Sequence, residues 1–165
     1  MSSIKTRVMP GGTKVIFLIM ALAFLLRPPV SAAYEAVLKT QRVRVGEKAP
    51  LAEPLRTPLE EGRPIVLVLF PNTAGCEGCD GITAALDEAE KKHPDVAFVR
   101  LGGEDSTGAM DEEAAVVKRL YGFVTKAEAM AFYIDREGIL RKITVGRFNG
   151  PAIEGIFEEL KWAGR

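Results

Sequence analysis

Only two cysteines and one histidine occur in 165 residues. A disulfide-dense scaffold is therefore excluded, and a structural metal site wanting four ligands finds two sulfurs and His93. Charge of one sign is lacking as well: 22 Lys and Arg stand against 22 Asp and Glu. Nothing in that balance asks for nucleic acid. Proline and glycine, 10 and 16 residues, are too few for a collagen or low-complexity chain, and 47% hydrophobic residues exclude disorder. What remains is one globular domain.

Long apolar runs are absent but for one, Val15 to Leu26, of 12 residues. As a helix it reaches only ~18 Å against a hydrocarbon core of ~30 Å. Lys5, Arg7 and Lys14 precede it, and small residues at Ser31, Ala32 and Ala33 follow it. Residues 1–32 thus read as an export signal cleaved after Ala32 or Ala33, with an uncleaved N-terminal membrane anchor as the alternative. Both place the domain outside the cytoplasm. The remainder carries 18 bases against 22 acids.

Residues 33–62 form a lead-in without a long periodic segment, with a short strand expected around Val43 to Val45, and the domain proper occupies 63–165. Ile65 to Phe70, a continuous apolar run between Pro64 and Pro71, reads as a central strand covered on both faces. A helix is expected from about Cys76 to Lys92, with Ile82, Ala85, Leu86 and Ala89 inward, Asp87–Lys91 and Glu88–Lys92 as i,i+4 pairs, and His93 closing it. Val96 to Leu101 is a second strand, parallel to the first through the crossover. The next helix, about Asp111 to Tyr121, is expected to bury Val116, Val117, Leu120 and Tyr121. Its acids Asp111, Glu112 and Glu113 suit the positive end of its dipole. Ala129 to Ile134 and Ile139 to Val145 flank the turn Asp135 to Gly138 as an antiparallel pair, with one of Phe132 and Tyr133 packed and the other near the rim. Pro151 opens a last helix with Ile153, Ile156, Phe157 and Leu160 at i, i+3, i+4 and i+7. The order is βαβαββα: an α/β fold with a mixed central sheet and helices on both faces.

Cys76-Glu77-Gly78-Cys79 falls where the first strand has ended and the helix begins. Unsatisfied amides and the helix dipole favour a thiolate there, the nucleophile of disulfide exchange. Two intervening residues let one cysteine attack and the other resolve the mixed disulfide, so Cys76 is the expected attacking thiol and Cys79 the resolving one. Two other readings remain: an inert disulfide, which constrains little across so short a loop, and a bridging metal or copper site.

The setting resembles the thioredoxin superfamily, most closely its extracytoplasmic TlpA-like and ResA-like thiol–disulfide oxidoreductases, over residues 45–165. The residues that carry the likeness are Val45-Gly46-Glu47-Lys48-Ala49-Pro50, the Ile65 to Phe70 strand leading to the CxxC, Tyr121-Gly122, and Phe132 to Gly138. The resemblance implies a redox-active Cys76–Cys79 disulfide and no further cofactor or metal. Its implied partners are exported proteins with disulfides or thiols, among them cytochrome c precursors, and a membrane or periplasmic electron donor. Glu77, so close to the sulfurs, is expected to oppose the thiolate by about one pKa unit and make the pair more reducing. Gly75 stands where the family has a tryptophan, and Ala129 or Met130 where a cis-proline faces the site, so these three are candidate substrate-facing positions. The family's buried acid at the end of the first strand is also absent, Leu69 and Phe70 being apolar; Asp80 or Glu77 would replace it. Two rival functions stand beside exchange: a thioredoxin-fold module that binds a partner or metal with weak or no turnover, and a peroxiredoxin-like peroxidase suggested by Thr73 three residues before Cys76.

Overall fold

The computed structural model describes residues 42–71, 79–102, 112–123, 128–146 and 148–162. Their elements run α1 (Glu53–Glu60), β1 (Ile65–Leu69), α2 (Cys79–Lys92), β2 (Ala97–Leu101), α3 (Glu112–Tyr121), β3 (Met130–Ile134), β4 (Leu140–Val145) and α4 (Gly150–Leu160). The strands form one mixed sheet in the order β2-β1-β3-β4, parallel between β1 and β2 and antiparallel at the other two pairings.

Burial follows from that order. β1 and β3 lie inside the sheet and every residue of both is buried, because helices cover both faces. Alternate residues feed two cores. Ile65, Leu67, Leu69, Met130, Phe132 and Ile134 pack with Leu55 of α1 and Val117 and Tyr121 of α3. On the other face Val66, Val68, Ala131 and Tyr133 pack with α2 and α4. Phe132 and Tyr133 are thus both fully buried, one in each core, and neither reaches the rim as expected.

Other expectations are corrected. No strand forms at 43–45; instead Val43 is buried and the segment runs beside the hairpin, Gly46 N–H donating to Leu140 O at 2.8 Å and Lys48 bridging Ile139. Helix α1 was not expected. Pro54 suits its first turn, where no amide partner is needed, but Pro58 lies inside and removes one internal bond; Leu55, fully buried, holds the helix in the core. In α3 the buried residues are Ala114, Val117, Lys118 and Tyr121, whereas Val116 and Leu120 are exposed. The helix therefore turns a different face inward from the one its large aliphatics mark. Asp87 and Lys92 do not serve the expected helical pairs either. Asp87 meets Arg100 of β2 at 3.1 Å, and Lys92 meets Glu154 of α4 at 3.3 Å.

The hairpin and the last helix form as read. Asp135 accepts from Ile139 N–H at 2.7 Å and pairs with Arg141, while Gly138 takes the positive φ of 76° that the turn needs. Asn149 caps α4 by accepting from Ala152 N–H at 3.0 Å. His93 closes α2 through its backbone N–H to Ala89 O, and its ring contacts Glu154 Oε2 at 2.9 Å. That hydrogen bond, foremost, holds the Glu154 carboxyl below its ordinary value of 4.5 against the opposing effect of burial, and Lys92 assists. A depressed carboxylate stabilises the fold above its unfolded pKa, and this support is lost as pH falls through the lower folded value. Glu154→Gln should accordingly flatten the fall in melting temperature between about pH 5 and pH 3, which thermal melts across that range will read.

Candidate functional site

The parallel pairing of β1 with β2 fixes where Cys79 lies. Ala97 N–H donates to Pro64 O at 2.8 Å and Arg63 reaches Val96 O at 3.0 Å, so the end of α2 and the start of β2 meet the beginning of β1. Helix α2 returns the chain from the C-terminal end of β1 over ~21 Å, the length of its 14 residues, which puts Cys79, its opening described residue, at that C-terminal end. Cys79 is half-buried and disulfide-bonded. Asp80 beside it is exposed. Gly75, Cys76 and Glu77 lie outside the described residues, as do Thr73, Asp111 and residues 1–32.

Three further parts gather at the same end of the sheet. Met130 opens β3 opposite Leu69, the last residue of β1. Ala129 precedes it, its carbonyl accepting from Gly146 N–H at 2.9 Å, and both side chains are fully buried. They bring backbone rather than side chain toward this edge.

The third part, Lys118, went unmarked in the sequence. Its ammonium lies over the Phe123 ring at 5.2 Å and beside Gly102 and the Phe70 carbonyl, at the C-terminal ends of β2 and β1. Burial lowers its pKa from 10.5. The signal was available in the spacing 114, 117, 118 and 121, which is a helical stripe as regular as the one chosen from the aliphatics.

Elsewhere, a cavity of about 350 Å³ opens near Pro64, Asp135, Arg141 and Trp162, at the opposite end of the sheet from Cys79. Among the described residues no three His, Cys, Asp or Glu side chains gather as they would around a metal ion, and no helix is long and apolar enough to cross a membrane.

No protein-family model matches the sequence, and neither does any curated protein. Solved structures do. A protein of Chlorobium tepidum assigned as the thiol:disulfide interchange protein DsbE is similar with a TM-score of 0.50 at 20% identity, over 73% of this chain and 97% of that one. Thioredoxin O2 from Arabidopsis thaliana, in its oxidised state, aligns at 0.46 and 17% identity over 66% of this chain and 87% of its own. The exposed lipoprotein thioredoxin Etrx1 of Streptococcus pneumoniae aligns at 0.45 and 20% over 61% and 89%. These last two are too distant to add to the argument. The fold is thioredoxin-like, an α/β sandwich with a mixed four-stranded sheet, as the resemblance implied.

Proposed function

We propose that the chain is an extracytoplasmic thiol–disulfide oxidoreductase acting on exported proteins through Cys76 and Cys79. One observation carries the reading: a disulfide-bonded, half-buried Cys79 opens the described part of α2 at the C-terminal end of the central strand of a thioredoxin-like fold. Sulfur at that position gains from helix amides when it becomes a thiolate. In the reducing direction the Cys76 thiolate attacks a substrate disulfide, forming a mixed disulfide and releasing one substrate sulfur as a thiolate that takes a proton. The Cys79 thiolate then attacks Cys76, freeing the second substrate sulfur and closing the chain's own disulfide. Two electrons pass to the substrate, and a dithiol donor in the membrane or periplasm restores the pair. Glu77 tunes the thiolate, and Gly75, Ala129 and Met130 border the docking edge. Cytochrome c precursors are among the exported proteins that this chemistry suits.

A second reading, a binding module with little turnover, is motivated by Gly75 and by Ala129 or Met130 standing where the resembled family carries a tryptophan and a cis-proline. Trapping separates the two. A Cys79→Ser variant should accumulate mixed disulfides with exported proteins, resolved on non-reducing gels and released by dithiothreitol, whereas Cys76→Ser should accumulate none. Equal and empty lanes for both variants would sink the exchange reading.

A further inference from the structure

We propose that the outer edge of β2 is a docking surface for a second copy of this chain, the two β2 strands pairing antiparallel about a twofold axis so that two sheets become one.

The pairing with β1 decides which groups the edge offers. Ala97 N–H donates to Pro64 O at 2.8 Å, and Leu101 O accepts from Phe70 N–H at 2.9 Å. Ala97, Val99 and Leu101 therefore face β1, whereas the N–H and C=O groups of Phe98 and Arg100 point the other way, where no strand follows β2 among the described residues. Such a row is a template for another strand, and monomers blunt it with a proline, a bulge or a free charge. β2 has none of these. Its register with β1 runs unbroken from Ile65–Ala97 to Leu69–Leu101, and it contains no proline. Its one charge, Arg100, is already neutralised from its own chain by Asp87 at 3.1 Å and Glu90 at 2.7 Å. Phe98 and Val99 beside it are only half-buried.

A register centred on Val99, the middle residue, lays the whole strand against its copy. Phe98 then stands opposite the partner's Arg100, and Arg100 opposite the partner's Phe98. These are the residues whose backbone groups point outward, so each pair exchanges both of its N–H···O bonds. A guanidinium meets a ring rather than a second guanidinium, which spares the pairing a like-charge contact. Because the strands run in opposite directions, the sheet ends that carry Cys79 point away from each other and neither is closed.

Sedimentation equilibrium of the full chain should show a monomer becoming a dimer between about 1 and 100 µM, the affinity expected of so small an interface. Hydrogen exchange at the Phe98 and Arg100 amides should slow over the same range. Arg100→Pro removes an outward N–H and leaves the ladder to β1 intact, so association should weaken by at least about tenfold. Where that variant does not fold, cross-linking decides. In a Cys76→Ser, Cys79→Ser background, Val99→Cys places two thiols across the axis at a Cα separation of ~4.5 Å, within disulfide reach. Mild oxidation should join them into a dimer on non-reducing gels well before Val45→Cys, an exposed position on the β4 side of the sheet, does the same. A wild-type chain that stays monomeric at about 100 µM overturns the proposal. So do edge amides equally protected at every dilution, which would mean that another segment of the same chain covers β2. A dimer that survives Arg100→Pro, or that joins no faster through Val99→Cys than through Val45→Cys, places the interface elsewhere and overturns it too.

Discussion

Phe157→Ala is expected to destabilise the fold by about 3–5 kcal/mol, the usual cost of deleting a fully buried aromatic side chain. Phe157 is the hub of the core between the sheet and the α2–α4 layer. The His93 ring meets it edge-on at 4.7 Å, and Trp162, Phe98 and Tyr133 stand at 5.6, 6.1 and 6.5 Å. Its neighbours come from β2, from β3 and from the segments that follow α2 and α4, so no single side chain can move in to fill the cavity. Against a total stability of about 5–15 kcal/mol for a domain, such a loss populates the unfolded state at modest denaturant. Urea titration should show a lower midpoint with an unchanged slope. Trp162, the sole tryptophan, reports the loss directly through its fluorescence. A shift below about 1 kcal/mol would mean that the aromatic cluster is not packed as described.

The positions around Phe157 were legible because their physics is local. Ile153, Ile156 and Phe157 fall on one helical stripe whatever surrounds them, and Asp135 to Gly138 needs only its own turn chemistry. Ile65 to Leu69, apolar at every position, could be only a strand covered on both faces or a buried helix, and its flanking prolines chose between them. What failed was set by tertiary partners. Helix α1 carries Pro58 in its interior, which argues against a helix; Leu55 overrides it by burial in a core assembled from residues far along the chain. In α3 two stripes compete, and the larger aliphatics Val116 and Leu120 lose to a stripe containing Lys118 because that one faces Leu67, Met130 and Phe132. The burial of both Phe132 and Tyr133 follows from β3 lying between β1 and β4, an order that no strand's own alternation encodes. Of the site, the CxxC spacing was plain in the sequence, whereas the ammonium beside the Phe70 carbonyl needed the ends of three elements to be brought together.

Gly102→Ala should be the most damaging small substitution near that site, with an expected loss of about 3 kcal/mol or more. Gly102 has φ 104°, a conformation whose strain for an L-residue is roughly 1–3 kcal/mol. The added methyl would lie 2.5 Å from Lys118 Nζ and equally close to the Phe70 oxygen. The lysine can swing aside. The carbonyl cannot do so cheaply, since Phe70 N–H is bonded to Leu101 O at 2.9 Å and the strand ends are held in register. Thermal unfolding should show a fall of roughly 10 °C. Adding Lys118→Met removes the ammonium that the new methyl strikes, so the two substitutions should cost less together than the sum of their separate losses. Strict additivity would mean that the loss at Gly102 comes from the strand ends and the backbone alone, and not from the methyl striking the ammonium.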